Sequence, residues 1–468
     1  MHELWTVAEA VAATGGRPEG LSDGPLASVT IDSREVGPEA LFVAIKGDRL
    51  DGHDFVATAL DAGASAAIVS EAWFAARGGK RLIVVPDTLA ALNALALAAR
   101  ARSRAVVVAV TGSAGKTTTK EAVAAVLRVA GPTHASVRSF NNHWGVPLML
   151  ARMPRDAQFG VFEIGMNHAG EITPLVRLVR PHIAVITTVA AAHLEFFRSV
   201  TEIAEAKAEI FLGLEADGVA LLNADHDYLH VLFAKAREAK VRRMVTYGFE
   251  ETADWHIGAV GPAGARSFAR ITHAGETIDL NLVVPGRHMI ANAVAALAVA
   301  QLVGMALPAA SGALSRLHAP EGRGEALRLG PADRPLLLVD ESYNANVASM
   351  NAAMEVFADL APAGGQKVLV LGDMLELGAQ GEALHRSLKS SVLNTGATRV
   401  FLIGKAIEPL AEELEESLIA GQARRIEELA PAIVSSLAYG DAVMVKGSNG
   451  VRLALLVDMI RQRFKTAA

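Results

Sequence analysis

Cysteine is absent from all 468 residues, which excludes a disulfide framework, a thiolate metal site and a cysteine nucleophile. Any metal must therefore be held by oxygen or imidazole. An excess of positive charge is also missing: 44 Lys+Arg stand against 50 Asp+Glu, a formal net charge of −6. This is far from the balance of a nucleic-acid binder, and DNA and RNA are set aside. The beginning, Met1-His2-Glu3-Leu4-Trp5, has no basic region followed by an apolar core and a small-residue cleavage site, so no signal peptide is expected. Nor is there a long uninterrupted apolar run. The most apolar stretch, 290–307, is Ala-rich, contains Asn292 and Gln301, and reads as a buried helix rather than a membrane span. With 51% apolar and 20% charged residues the chain is not disordered. A cytoplasmic protein without membrane insertion is expected.

At about 150 residues per domain, the length predicts roughly two to four domains. Short β-like runs at 28–32, 41–45, 66–69 and 82–85, around a helix at 54–61, predict a small α/β lobe over 1–86. A helix at 89–100 leads into the apolar run 105–110, which reads as a strand buried on both faces of a parallel sheet. Runs at 159–164, 183–189 and 218–223 then alternate with helical patterns, the signature of a doubly wound sheet. After 241–247 the pattern changes. Residues 254–284 alternate apolar and polar, which predicts an antiparallel extension before a helix near 290–302. This second unit is assigned 87–318, ending in a linker at 318–324. Strand-like runs at 336–340, 367–371, 399–403 and 442–446 predict a third, Rossmann-like α/β domain over 319–468.

The sharpest motif is Thr111-Gly112-Ser113-Ala114-Gly115-Lys116-Thr117-Thr118, between an apolar strand and a helical pattern. Glycines allow backbone N–H groups to close around phosphate oxygens, the Lys116 ammonium neutralises charge, and the Thr117 hydroxyl can ligate Mg²⁺. Val110 occupies the first glycine position of the full phosphate-loop spacing, so this is a variant loop. Glu163 ends the strand 159–164, and open α/β sheets bind ligands at strand carboxyl ends. Its carboxylate suits Mg²⁺, directly or through water.

Other residues have two readings. His193 follows the strand 183–189, where a hydrogen-bonded loop histidine is the more ordinary interpretation, imidazole being an uncommon Mg²⁺ ligand. On a helix over 201–214, Lys207 falls on the apolar face of Ile203, Ile210, Phe211 and Leu214, opposite Glu202, Glu205 and Glu209. It either snorkels, or has a specific partner or a chemical modification that a lowered pKa would permit. Asn292 can hydrogen-bond a purine edge and Asp340 a ribose, although each also fits a cap or turn. Arg323, in the linker, can reach phosphate if the third lobe closes over the second, or stay solvated.

Together these segments resemble the Mur ligase family over nearly the whole chain. The resemblance is carried by Asp32-Ser33-Arg34, 41–47 and 51–55 in the first lobe. In the second it rests on 111–118, the Asn141-Asn142-His143-Trp144-Gly145 run, 163–172, 192–195, 206–211 and 286–292. The third lobe adds 340–346, 370–378 and Lys446-Gly447-Ser448. It implies a three-domain, ATP- and Mg²⁺-dependent amide-bond ligase of peptidoglycan precursor synthesis, in which the first domain holds the UDP end of the substrate, the central domain ATP and the third the incoming amine. The segment 370–378 resembles the member that adds D-alanyl-D-alanine to UDP-N-acetylmuramoyl-tripeptide through an acyl phosphate. The Asp-Asn-Pro-Arg motif of the diaminopimelate- or lysine-adding member is absent.

By the same resemblance, Ser33 and Arg34 belong at the UDP site, and Asn141 and Asn142 near the muramoyl portion. Glu163 and His193 match Mg²⁺ positions and Lys207 a carbamylated lysine, while Asn292 and Asp340 match adenine and ribose contacts and Arg323 a phosphate contact. Asn449 departs from the family, standing where an arginine is usual, with Arg452 close by. A monomer is expected. The competing readings are another Mur-type or a folylpolyglutamate-type ligase, and a P-loop ATPase that switches conformation to control a partner.

Overall fold

The apolar runs assemble into three largely parallel sheets in a computed structural model that describes residues 4–47, 49–261 and 266–465. Met1, His2 and Glu3, and positions 262–265 within the expected antiparallel extension, lie outside the described residues. The first sheet runs in the order Arg17–Glu19, Leu82–Val85, Ala66–Ser70, Ala40–Val43, Ser28–Thr30, with only the first pair antiparallel. Arg17–Glu19 has no apolar alternation to betray it, and its Pro18 is tolerated because the strand is at the edge. Phe42, Val69, Leu82 and Val84 fill a core within this lobe. The alternate residues Leu41, Val43, Ile68 and Ile83 face a second core shared with helix Thr88–Arg102 and the central lobe. Trp5 stitches the two lobes together: its indole N–H donates to the Ala151 carbonyl at 2.8 Å, and the Arg102 guanidinium lies 3.7 Å from its ring.

The central sheet is nine-stranded. Val106–Thr111 lies inside it, parallel to Phe159–Glu163 on one side and Ile183–Ile186 on the other. Chain order reverses here, because Thr133–Ala135 extends the sheet beyond Phe159–Glu163 while Val219–Asn223, Arg243–Gly248 and Trp255–Val260 extend it the other way. A reversal of this kind opens a crevice at the carboxyl ends of the strands. Val107 and Ala109 pack into one core and Val108 and Val110 into another, as a strand covered on both faces requires. Pairing becomes antiparallel at Ser267–His273 and Glu276–Leu282, the extension foreseen from alternation. The phosphate-loop helix Lys116–Ala130 packs on Arg287–Leu302, whose every residue from Met289 to Ala300 is buried. Among the described residues no helix is long and apolar enough to cross a membrane.

Two elements stop three or more residues before their expected ends. The strand begun at Ile183 ends at Ile186, and the helix expected over 201–214 ends at Ala208, followed by the 3-10 turn Glu209–Gly213. Tertiary contacts explain the break. Glu209 accepts from the backbone N–H of Gly170 at 2.6 Å and of Thr173 at 3.0 Å, capping helix Ile172–Val179, which has no side-chain cap at its preceding residue. Gly213 then passes so close to Val176 that a Cβ would lie 2.3 Å from its carbonyl oxygen.

The third sheet runs Glu325–Leu329, Leu336–Glu341, Ala442–Lys446, Lys367–Gly372, Arg399–Ile403, Ile419–Ala423, parallel except at the first strand. Glu325–Leu329 and Ile419–Ala423 are the half-exposed edge strands that no apolar run announced. Between them the alternate residues of the inner strands fill one core on each face.

Candidate active site

The phosphate loop leaves the carboxyl end of Val106–Thr111 at the point where strand order reverses, and enters helix Lys116–Ala130 directly. Gly115 precedes the helix with φ 79°, and Gly112 has φ 154°. A Cβ on Gly112 would lie 1.9 Å from the Thr187 hydroxyl oxygen and 3.1 Å from the Thr188 nitrogen. Gly112→Ala is therefore expected to destabilise the protein by about 1–3 kcal/mol through overpacking. A lowered denaturation midpoint at unchanged m-value checks this; an unchanged midpoint contradicts it.

Five predicted residues converge here. Lys116 Nζ donates to the Gly112 carbonyl at 2.7 Å, folded back over the loop. Thr117 Oγ1 donates to Glu163 Oε2 at 2.8 Å, and Asn141 Nδ2 donates to Glu163 Oε1 at 2.7 Å. The Glu163 carboxylate thus joins the nucleotide-loop hydroxyl to the segment expected near the muramoyl portion. Asn292 Oδ1 accepts from Thr119 Oγ1 at 3.0 Å and touches the space a Gly115 Cβ would fill. Burial pushes the Lys116 ammonium below the ordinary lysine range, with Glu163 opposing the shift and Arg323 adding to it. Lys207 is almost fully buried, and both burial and the nearby positive charge of Lys116 hold its pKa well below normal.

A cleft of about 880 Å³ opens over the loop. Its walls come from two lobes: Ser113, Lys116, Asn141, Glu163, His193 and Asn292 from the central one, and Tyr343, Asn346, Glu376 and Lys446 from the third, with Arg323 from the linker between them. The third lobe touches the loop directly through Asn346 Nδ2, which donates to the Ser113 carbonyl at 3.1 Å. Arg323 bridges the lobes, its guanidinium 4.1 Å from the Tyr343 ring centroid and 3.3 Å from Ser139 Oγ. His193 bonds Glu376 through Nδ1 at 2.5 Å, and this bond holds the Glu376 carboxyl below the usual range.

Other predicted residues lie apart. Asp340 is buried away from the cleft wall; it accepts from Ser342 Oγ at 2.6 Å and lies 3.4 Å from Arg461 Nη2, while the next residue, Glu341, faces the cleft. Asn142 Oδ1 accepts from the Gly145 nitrogen at 2.8 Å at the entry to helix Gly145–Ala151. Lys207 is not part of the cleft wall. Ser33 and Arg34 occupy a 3-10 turn of the first lobe, where Arg34 pairs with Asp32 at 2.6 Å. The same turn carries Glu35, 3.7 Å from Arg138 and 3.6 Å from Arg152, so it faces the segment leading to Ser139 and Asn141. Asn449 lines the cleft, whereas Arg452 pairs with Glu427 at 3.1 Å outside it.

The sequence assigned no role to several groups. Lys120 is fully buried and donates to the carbonyls of Ser136 at 2.6 Å and Arg138 at 3.1 Å, fixing the chain that presents Ser139 and Asn141. Lys446 Nζ donates to Glu341 Oε2 at 3.1 Å, a pair formed at the carboxyl ends of adjacent parallel strands. The spacing from Lys116 to Lys120, one helical turn, was the available signal for the first; the second pair is brought together from 105 residues apart.

Among the described residues no group of three His, Cys, Asp or Glu side chains forms a self-sufficient metal centre. The Thr117 hydroxyl and Glu163 carboxylate, already 2.8 Å apart, nevertheless fit a hard cation that takes its remaining ligands from nucleotide phosphates and water.

Comparison with known proteins places these features in context. The family model described as Mur ligase middle domain matches residues 110–300, that described as Mur ligase, glutamate ligase domain matches 322–449, and that described as Mur ligase family, catalytic domain matches 25–126. The UDP-N-acetylmuramoyl-tripeptide--D-alanyl-D-alanine ligase of Rickettsia prowazekii is 32% identical over 430 residues, covering 92% of this chain and 94% of the relative. That of Escherichia coli is 41% identical over 388 residues, covering 82% of each. A crystal structure of MurF from Acinetobacter baumannii superposes with a TM-score of 0.84 at 28% identity, covering 98% of this chain and 99% of that one. MurF ligase from Thermotoga maritima in complex with ADP gives a TM-score of 0.77 at 26% identity, covering 93% and 97%.

Proposed function

This chain belongs to the Mur ligase family, and from that premise we propose that it is the ATP-dependent ligase that joins D-alanyl-D-alanine to UDP-N-acetylmuramoyl-tripeptide. The observation that carries this reading is the single cleft into which a phosphate loop, Asn141 on the acceptor side and a third-lobe wall all open. A switch ATPase has no need of it. The relatives that carry this activity in their names match the chain along most of its length, which favours it over other Mur-type and folylpolyglutamate-type ligases.

In the proposed reaction the terminal carboxylate of the tripeptide attacks the γ-phosphorus of ATP, releasing ADP and forming an acyl phosphate. The amine of D-alanyl-D-alanine then attacks the acyl carbon, phosphate leaves, and a proton is lost from nitrogen. Lys116 lies where charge on the transferring phosphoryl group develops, and low solvation strengthens its effect. Mg²⁺, held by Thr117, Glu163 and His193 together with a carbamate on Lys207, would neutralise phosphate charge. Asn292 serves the adenine end and Arg323 the phosphates, while Asp340, expected at the ribose, is instead taken up by Ser342 and Arg461 away from the cleft wall. The third lobe, already in contact with the loop through Asn346, excludes water from the acyl phosphate and orients the amine. In this reading residues 1–86 hold the UDP end through Ser33 and Arg34, 87–318 hold ATP, and 319–468 hold the dipeptide. Asn142, by fixing the turn that carries Asn141, acts beside the muramoyl portion.

The test is incubation with ATP, Mg²⁺, UDP-N-acetylmuramoyl-tripeptide and D-alanyl-D-alanine, each omitted in turn, with phosphate release and the mass of the UDP product followed together. A pentapeptide product formed only in the complete mixture is expected. Phosphate release that needs neither acceptor nor amine, without a new amide, would instead favour the conformational-switch ATPase. A new amide with a different acceptor or amine would assign another ligase of the group.

A further inference from the structure

Two residues in a backbone region that side-chain-bearing residues seldom adopt face each other across the boundary of the central and third lobes. His193 has φ 58° and Glu376 φ 62°. Such conformations persist where surrounding contacts over-determine them. Here Glu376 Oε2 accepts from His193 Nδ1 at 2.5 Å, and the Glu376 carbonyl accepts from the Glu195 nitrogen at 3.0 Å. Gly378, at φ 57°, presses so close that a Cβ would sit 3.0 Å from the Glu195 Cα.

The segment delivering the carboxylate is itself fixed within the third lobe. The Leu375 nitrogen donates to Ser448 Oγ at 3.0 Å, the Met374 nitrogen to His385 Nε2 at 2.9 Å, and Asp373 Oδ1 accepts from the Ile407 nitrogen at 2.8 Å. Glu376 therefore arrives as part of a rigid unit when the lobes meet. A carboxylate only accepts, so His193 Nδ1 carries a proton, and in the neutral imidazole this makes Nε2 the lone-pair nitrogen of a ring that lines the same cleft as Lys116 and Glu163.

We propose that Glu376 is a positioning residue through which docking of the third lobe sets the tautomer and orientation of His193, completing the phosphate side of the site only when the amine-binding lobe is in place. This rests on the role given to His193 in the proposed function. It ties formation of a hydrolysable acyl phosphate to the closed arrangement, because the imidazole is not oriented before the carboxylate reaches it. A carboxylate behind a metal-side histidine is a general means of fixing its tautomer; here it comes from a different lobe.

Glu376→Ala and Glu376→Gln, with wild type beside them, test the proposal. The alanine variant is expected to lose roughly 10–100-fold in kcat and in Mn²⁺ affinity of the ADP complex, the latter read by electron paramagnetic resonance. The KM for the UDP-linked acceptor stays within about twofold, since acceptor binding precedes the step affected. The glutamine variant, whose amide oxygen still accepts from Nδ1, recovers part of both losses. In the metal-free ADP complex, ¹⁵N spectra show His193 as the Nδ1–H form in wild type and as a mixture in Glu376→Ala. An unchanged ring tautomer together with unchanged Mn²⁺ affinity overturns the proposal even if kcat falls, because that pattern marks a merely structural residue. Should Glu376→Ala fail to fold, Glu376→Leu, which also lacks an acceptor for Nδ1, supplies the same readouts, with wild-type tautomer and Mn²⁺ affinity again overturning the proposal. Failure of wild type to form the pentapeptide product would count against the ligase reading alone, since tautomer and Mn²⁺ binding are read without turnover.

Discussion

Lys116→Ala is expected to lower pentapeptide formation by roughly 10²–10³-fold, the usual loss when one preorganised charge-stabilising donor is removed from a site of this kind. The ammonium sits at the start of helix Lys116–Ala130 and, among the described residues, is bonded only to the Gly112 carbonyl of its own loop. That contact contributes little that water would not, so the side chain is held for a ligand rather than for the fold. Burial and Arg323 both disfavour its charge, which is consistent with a site whose positive potential is meant to meet phosphate. The variant should consequently melt no earlier than wild type, as when a strained functional group is removed.

The pH dependence follows with a definite sign. The folded pKa of Lys116 lies below the ordinary 10.5, so between those values the unfolded chain binds more protons than the native one. Stability contributed through this group therefore rises with pH across that window, and the rise is smaller in Lys116→Ala. Thermal melts at several pH values and a steady-state assay on the same preparations check both parts. Wild-type turnover in a folded variant would remove Lys116 from the mechanism.

Much of this site could be read before any coordinates, and the reason is local. The loop from Thr111 to Thr118 carries its strand, its glycines and its helix start within a dozen positions, so spacing alone encodes the geometry. Glu163 was legible because a strand-terminal carboxylate is a statement about one strand, Phe159–Glu163. The sheet-buried strands were legible for the same reason, as continuous apolar runs. What escaped is what depends on distant partners. The edge strands Arg17–Glu19 and Ile419–Ala423 bury too little to show a pattern. The helix carrying Lys207 stops at Ala208 because Glu209 is recruited by a helix 36 residues away, a choice that periodicity cannot express. Glu376 reaches His193 across 183 residues and a lobe boundary. The anomaly at Lys207, by contrast, was visible in sequence because it violated the helical wheel, and the structure buries that side chain as it buries Ile203, Ile210 and Phe211.

Lys207→Ala carries the second large expected effect, a loss of activity on the order of 10²-fold, partly restored by added acetate or propionate. A buried lysine beside the positive Lys116 is an unfavourable arrangement as long as both are ammonium ions, and burial and that neighbour hold the Lys207 pKa well below normal. The result is a neutral amine at pH values where an exposed lysine stays charged. A neutral amine can add CO₂: the nitrogen lone pair forms the new N–C bond, one C=O π bond becomes the carbamate oxyanion, and a proton leaves the nitrogen. The product is an anion, so the like-charge interaction with Lys116 becomes an attractive one, and a cation is replaced by an oxygen donor of the kind that suits Mg²⁺. Because a proton is released, the modification is favoured as pH rises and is lost on acidification. Wild-type enzyme prepared in CO₂-free buffer should therefore lose activity and regain it with bicarbonate, while Lys207→Ala responds to neither. ¹³C-bicarbonate should give a carbamate resonance in wild type that is absent from the variant. Full activity of Lys207→Ala, or no such resonance in active wild type, would return Lys207 to the role of a buried but unmodified side chain.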